Sequence, residues 1–273
     1  MNYQSAEQVQ NDECKKALVE LLYQLADDDF ITAFRGTEWL GLCPHIEEDV
    51  AYSSINQNTM GHAAMFFQLL EELGEGNADT LAHARTANER KNAIILEEVN
   101  GPGTYLDEPR FDWAFTVVRN YLYEVYKSIR IQSLKQSSYQ PLANVAKSIS
   151  SEHFYHLMHW DVWFKQLFSS TDEAKKRMHI QLERVWEEFG GVLSFGAEGK
   201  KMVEFGFIES EEQLTSRWLE KIEGVFNELN IPIPANKPTM NKGNGRCGEH
   251  TEELTTAIET LAEVYNVDRL AVW

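Results

Sequence analysis

The stretch F-D-W-A-F-T-V-V-R-N-Y-L-Y-E-V-Y-K-S-I-R-I-Q-S-L, residues 111–134, sets Ala114, Phe115, Val118, Leu122, Val125, Tyr126 and Ile129 on one helical stripe. Glu124 falls in the middle of that stripe. A carboxylate placed there must be paired or must serve as a ligand, because a lone buried charge is too costly to keep.

Similar helical patterns flank this one. A fourth long helix is predicted from Pro141 to Phe168. A first runs from about Cys14 to Trp39 on Leu18, Leu21, Leu22 and Leu25, ending near G-L-C-P. The second starts after Pro44, carries Ile46, Val50, Met60, Ala64, Phe67 and Leu70, and stops at the breaker run G-E-G-N. One or two short helices between Ala78 and about Leu96, then G-P-G at Gly101 to Gly103, fill a long connection. Two long hairpins joined by a long crossover define a ferritin-like bundle.

Beyond the bundle, helices are expected from Asp172 to Phe189 and from Glu211 to Leu229, the latter opened by a capping box of Ser210 and Gln213. I-P-I-P-A-N-K-P forces extended chain, since proline disfavours helix at its own position and at the one before it. A last helix spans about Glu249 to Tyr265. Strand signals are nearly absent, which excludes most α/β enzymes. The expectation is an all-α, ferritin-like four-helix bundle with additional C-terminal helices: a single domain over 1–273, with its core bundle at about 13–168 and extra helices and tail at about 172–273.

The formal charge of -18 excludes nucleic acid as the main partner, because a phosphate backbone is bound by clustered Lys and Arg. A basic partner subunit or a locally basic anion pocket is the natural electrostatic match. Cys14, Cys43 and Cys247 lie far apart, so neither a disulfide framework nor a zinc knuckle is indicated. The N-terminus M-N-Y-Q-S-A-E-Q lacks a leader pattern, and no run approaches the roughly 20 apolar residues of a membrane span. A reduced cytoplasm, without membrane attachment, is the expected location.

A dimetal-carboxylate site draws a Glu from each of two helices and Glu-x-x-His from each of the other two. Here Glu152-His153-Phe154-Tyr155-His156 and Asn58-Thr59-Met60-Gly61-His62 invite the comparison. The residue three before His156 is His153, and the one three before His62 is Thr59, so both motifs are broken. Glu152 and Asn58 sit four before these histidines and still share their faces. Together with Asp27 from D-D-D and Glu124, the candidate set is Asp27, His62, Glu124, Glu152 and His156. Two readings follow: a paired polar core where a metal site once stood, or a pocket for iron or manganese. His153 and His159 fall off the stripe and are assigned to the surface or to a partner contact.

Gly243-Asn244-Gly245-Arg246-Cys247-Gly248 matches G-x-G-x-x-G, with Asp268 20 residues on, but no strand pattern precedes it and the dinucleotide reading fails. A glycine-rich turn before a helix can present amides to an anion such as a coenzyme A phosphate, with Arg246 adding charge. The alternative, preferred here, is a tail lock in which His250, Thr251 and Glu252 cap the last helix and bind it to the bundle or a partner.

T-E-W at Thr37 to Trp39, N-T-M-G-H-A at Asn58 to Ala63, R-N-Y-L-Y-E at Arg119 to Glu124, E-H-F-Y-H-L at Glu152 to Leu157 and G-R-C-G-E-H-T-E at Gly245 to Glu252 are distinctive. Across nearly the whole chain the sequence resembles the structural subunits, lettered C, of the bacterial multicomponent phenylacetyl-CoA epoxidases of phenylacetic acid degradation. The resemblance implies a noncatalytic subunit with no catalytic residue and no cofactor of its own. It places the oxygen-activating diiron centre in a paralogous ferritin-like partner, which is then the catalytic subunit. The complex epoxidises the ring of phenylacetyl-CoA with electrons from a flavin and iron–sulfur reductase. Phenylacetyl-CoA would then bind near this chain, and a homo-oligomer would form in the partner's absence. His62 stands where relatives carry a non-ligating residue, which keeps the alternative open: an independent dimetal-carboxylate oxidase or oxygenase using Asp27, His62, Glu124, Glu152 and His156.

Overall fold

The computed structural model describes residues 2–104 and 106–269. The chain is all-α, with α1 (Asp12–Thr37), α2 (Ile46–Glu72), α3 (Ala78–His83), α4 (Ile94–Glu97), α5 (Trp113–Leu134), α6 (Gln140–Phe168), α7 (Asp172–Glu188), α8 (Gly190–Leu193), α9 (Gly199–Glu204), α10 (Glu211–Leu229) and α11 (Glu252–Val267). Among the described residues β-structure is limited to isolated bridges, Tyr3 with Tyr139 and Thr104 with Asp107. Four long helices, α1, α2, α5 and α6, with a long connection between the second and the third of them, are consistent with the ferritin-like class. No helix of the described residues is long and apolar enough to cross a membrane.

Helix ends follow local chemistry. Asp112 caps α5 by accepting from the amides of Ala114 (2.9 Å) and Phe115 (3.2 Å), so the helix begins at Trp113 rather than Phe111. The Ser210/Gln213 capping box opens α10 as expected, and Asn230 closes it in the left-handed conformation at φ 56°. The short α8 and α9 lie in a stretch whose sequence carries no extended periodicity. Helix α11 starts at Glu252, three residues later than Glu249, because His250 and Thr251 are turned toward Glu97.

The chain divides into two compact units: Met1–Leu18 with Asn100–Asn241, and Val19–Val99 with Lys242–Trp273. In the first, α5 packs against α6, α7 and α10. Helix α5 is buried on nearly all faces, not on a single stripe, so Arg119, Glu124, Lys127 and Arg130 are taken inside with it. Aromatic side chains fill the space around it: Tyr121 stacks on Phe164 at 4.2 Å, and Trp218, stacked on Phe189 at 4.8 Å, donates its indole N–H to the Leu122 carbonyl (3.1 Å).

In the second unit, most of α1 is grouped with α2, α3, α4 and α11. Phe30 of α1 meets Phe67 of α2 edge-on at 5.9 Å, and α11 packs on α3 and α4. The segment after α3 runs extended through Arg90 to Ala93 and carries backbone groups that the tail engages.

Candidate functional site

Of the candidate residues, Glu124 and His156 lie in a buried polar cluster of the first unit and Asp27 in one of the second, while Glu152 lies outside both. In the first unit Glu124, on α5, lies with its carboxylate 2.6 Å from Nε2 of His153 on α6. His153 is therefore buried beside Glu124, not on the surface where periodicity placed it. His156, one turn on, is also buried, with its ring centroid 6.2 Å from that of His153. Glu152 points the other way and is exposed. The helix phase explains the exchange: 153, 156, 160 and 164 form the buried edge of α6, and a residue one position before 153 is rotated about 100° off it.

Burial by itself would raise the Glu124 pKa. The imidazole of His153, with smaller help from Lys127 and His156, outweighs burial and holds the carboxyl at about 2. This carboxylate is engaged by the His153 imidazole. Its second-helix partner in the expected ligand scheme, Glu152, is outside the cluster.

In the second unit the D-D-D run of α1 is buried throughout. Asp27 accepts from both Nη atoms of Arg85, from Arg90 Nη1 (3.2 Å) and from the Lys91 amide (2.9 Å). Burial pushes its pKa upward, but the two guanidinium groups dominate and hold it below the ordinary carboxylate range. Arg90 in turn is drawn down to about 10, burial being the main cause and Asp27 the main counterweight. His62 is buried on α2. Among the described residues, no three His, Cys, Asp or Glu side chains converge in a way that would hold a metal ion.

Asp28 faces the tail. Arg246 donates Nη1 (2.7 Å) and Nη2 (2.9 Å) to its carboxylate in a bidentate fork, and Nη1 also reaches the Lys91 carbonyl. Neither side chain is exposed. Arg246 is thus a buried partner of Asp28, with its charge spent inside the protein rather than offered to a phosphate. The G-R-C-G turn is a single 3-10 turn closed by Gly248 at φ 82°, and the described residues before it form no strand. A Cβ on Gly245 would sit 2.0 Å from the Asn92 carbonyl oxygen, so only glycine lets the tail approach this segment so closely.

Glu97 completes the lock. Its carboxylate lies 2.7 Å from His250 Nδ1 and accepts from the Thr251 amide (2.7 Å), the Thr251 hydroxyl (3.0 Å) and Asn92 Nδ2 (2.8 Å). His250 Nε2 is 3.0 Å from the Arg90 carbonyl. Thr251 does occupy the N-cap of α11, but its hydroxyl serves Glu97 and makes no side-chain bond to the helix. Glu252 is the first residue of α11, where a negative charge suits the helix dipole. Next to it, Glu253 accepts from the Val99 amide (2.7 Å), and Lys242 pairs with Glu98 (2.8 Å).

Sequence reasoning did not single out Asp28, Arg85, Arg90 or Glu97, and it set His153 outside the site. Asp28 was visible as the middle of three acids. Glu97 and the arginines sit in a four-residue helix and irregular chain, where no period marks which side chains turn inward.

The chain matches the family described as "Phenylacetic acid catabolic protein" over residues 1–273. It is similar to the C subunit of the 1,2-phenylacetyl-CoA epoxidase of Escherichia coli (strain K12), at 25% identity over 248 residues, which is 90% of this chain and 94% of that relative. A buried acid–arginine core and a tail fastened over it are therefore the inner structure of a chain that belongs to the phenylacetic acid catabolic protein family.

Proposed function

We propose that this chain is a noncatalytic, cytoplasmic structural subunit of a bacterial multicomponent phenylacetyl-CoA ring 1,2-epoxidase, supporting a separate subunit that carries the diiron centre. The observation that carries the reading is the state of the buried candidate carboxylates. Asp27 is held by two arginines and Glu124 by His153. A carboxylate that ligates a metal must turn its lone pairs to the ion, and a cation already in that place competes for them. The named activity of the Escherichia coli relative supports the assignment to an epoxidase complex.

In this reading the chain supplies rigidity. Each ion pair replaces a metal–carboxylate bond as the means of neutralising buried charge, and the tail lock fixes α11 and the segment at 90–99 against α1. The test is reconstitution with the paralogous diiron subunit and the reductase of the same bacterium. The two chains are expected to co-elute, and ring epoxide is expected only when both are present. Turnover by this chain with reductase alone would overturn the reading.

A further inference from the structure

We propose that the corner between α1 and α2 is a docking site for a segment of another polypeptide that inserts one large apolar side chain flanked by lysine or arginine. The proposal rests on the reading of this chain as a subunit of a larger assembly, and it adds which surface meets a partner and what chemistry that partner presents.

Three observations converge on this corner. First, a half-open cavity of about 260 Å³ lies there, walled by Ala33, Trp39, Leu40, Tyr52 and Met60. An apolar cavity of about 150 Å³ already accepts a benzene ring, so this one has room for a Leu, Phe or Trp side chain. It is smaller than the roughly 300–1,000 Å³ usual for small-molecule pockets. Second, its surroundings expose large aliphatic side chains to water: Leu40 is 56% exposed, Ile46 75% and Val50 63%. An apolar pocket ringed by apolar surface is the form of an interface anchor site. Third, the charge is one-sided. From Gly36 to Ala84 the sequence has no Lys or Arg, and the acids at the corner's end of this stretch are Glu38, which pairs with Arg35, and Glu47, Glu48 and Asp49. Helix α2 therefore carries no Lys or Arg at all, and of the three acids in its first turn Asp49 lines the cavity, Glu47 is exposed and Glu48 is buried.

The occupant follows from those charges. A second copy of this chain would bring the same acidic helix and a further formal charge of -18. A different chain with basic residues beside its anchor gains attraction at the rim, which speeds encounter and fixes register. The corner is also preformed: the Gly41 amide donates to Asp49 (2.8 Å), tying the loop after α1 to α2. Another exposed apolar set, Phe154, Tyr155, Met158 and Val162 on α6, shares its helix with Lys147 and Lys165 as well as Glu152 and Asp161, so no single sign of charge selects its partner.

The test measures the affinity of the full chain for the paralogous diiron subunit by interferometry at two salt concentrations. Gln57, exposed and lining the cavity, is changed by Gln57→Trp to plug it, and Glu47→Lys reverses an exposed charge in the first turn of α2. Glu220→Lys on α10 makes the same change in net charge elsewhere on the surface, and circular dichroism verifies that each variant is folded. Plugging is expected to weaken binding at least about tenfold, the scale of one interface anchor. Glu47→Lys is expected to weaken it several-fold at low salt and Glu220→Lys less than about twofold. Wild-type binding that survives both Gln57→Trp and Glu47→Lys overturns the docking site while leaving the subunit reading intact. No binding by the wild-type chain overturns both.

Discussion

Arg246 and Asp28 lie 218 residues apart in the chain and meet at 2.7 Å with neither side chain exposed. The pair joins the tail to the first long helix, so the segment around Arg246 belongs to the packing of the second unit. Removing only the cation strands a buried carboxylate. Arg246→Ala is expected to cost about 3–5 kcal/mol in urea unfolding. The double variant Arg246→Met with Asp28→Leu is expected to recover most of that loss, since it removes both charges and keeps volume.

Gly245 tests the close approach itself. A methyl group there meets a backbone carbonyl rather than a movable side chain. Gly245→Ala is expected to destabilise by about 2 kcal/mol or more, and to raise amide exchange in the tail first. A change within about 0.5 kcal/mol, the range of an ordinary surface substitution, would mean that the tail does not seat as described.

Glu124 links acidity to stability. Its pKa lies at about 2 in the folded chain against 4.5 as the ordinary value, so its contribution is present in full above pH 4.5 and is lost as pH falls toward 2. The loss across that window is on the order of 3 kcal/mol. Glu124→Gln is expected to flatten this limb of the stability curve relative to wild type, measured by denaturant unfolding between about pH 5 and 2.5.

Cys43 lines the cavity at the α1–α2 corner, and burial, with Glu48 and Asp49 nearby, pushes its thiol up to about 12. Only the thiolate reacts with iodoacetamide. At about pH 8, Cys43 is expected to alkylate at least about a hundredfold more slowly than free cysteine, followed by mass spectrometry of the peptide. A rate equal to that of free cysteine would contradict the burial described here.

The long helices were legible because their apolar residues recur every three or four positions, as from Ala114 to Ile129. The centre of the candidate site was not. Whether residue 152 or 153 faces inward is a matter of one position in helix phase, and Glu152, four before His156, shares a face with it as readily as His153, three before it. The tail lock was read from the His250-Thr251-Glu252 order, while the glycines before it were read as a turn that could face an anion. The acceptors of the lock, Asp28 and Glu97, were not legible, because contacts spanning 218 and 153 residues leave no local pattern.

In the proposed reading the buried carboxylates Asp27, Asp28 and Glu124 are held by this chain's own basic side chains in place of metal ions. Metal analysis of the full chain, purified alone from cells supplied with both iron and manganese, tests it most directly. Less than about a tenth of an equivalent of either metal is expected, since the buried carboxylates are already engaged by arginine and histidine. About two equivalents per chain, lost on Glu124→Ala, would contradict it.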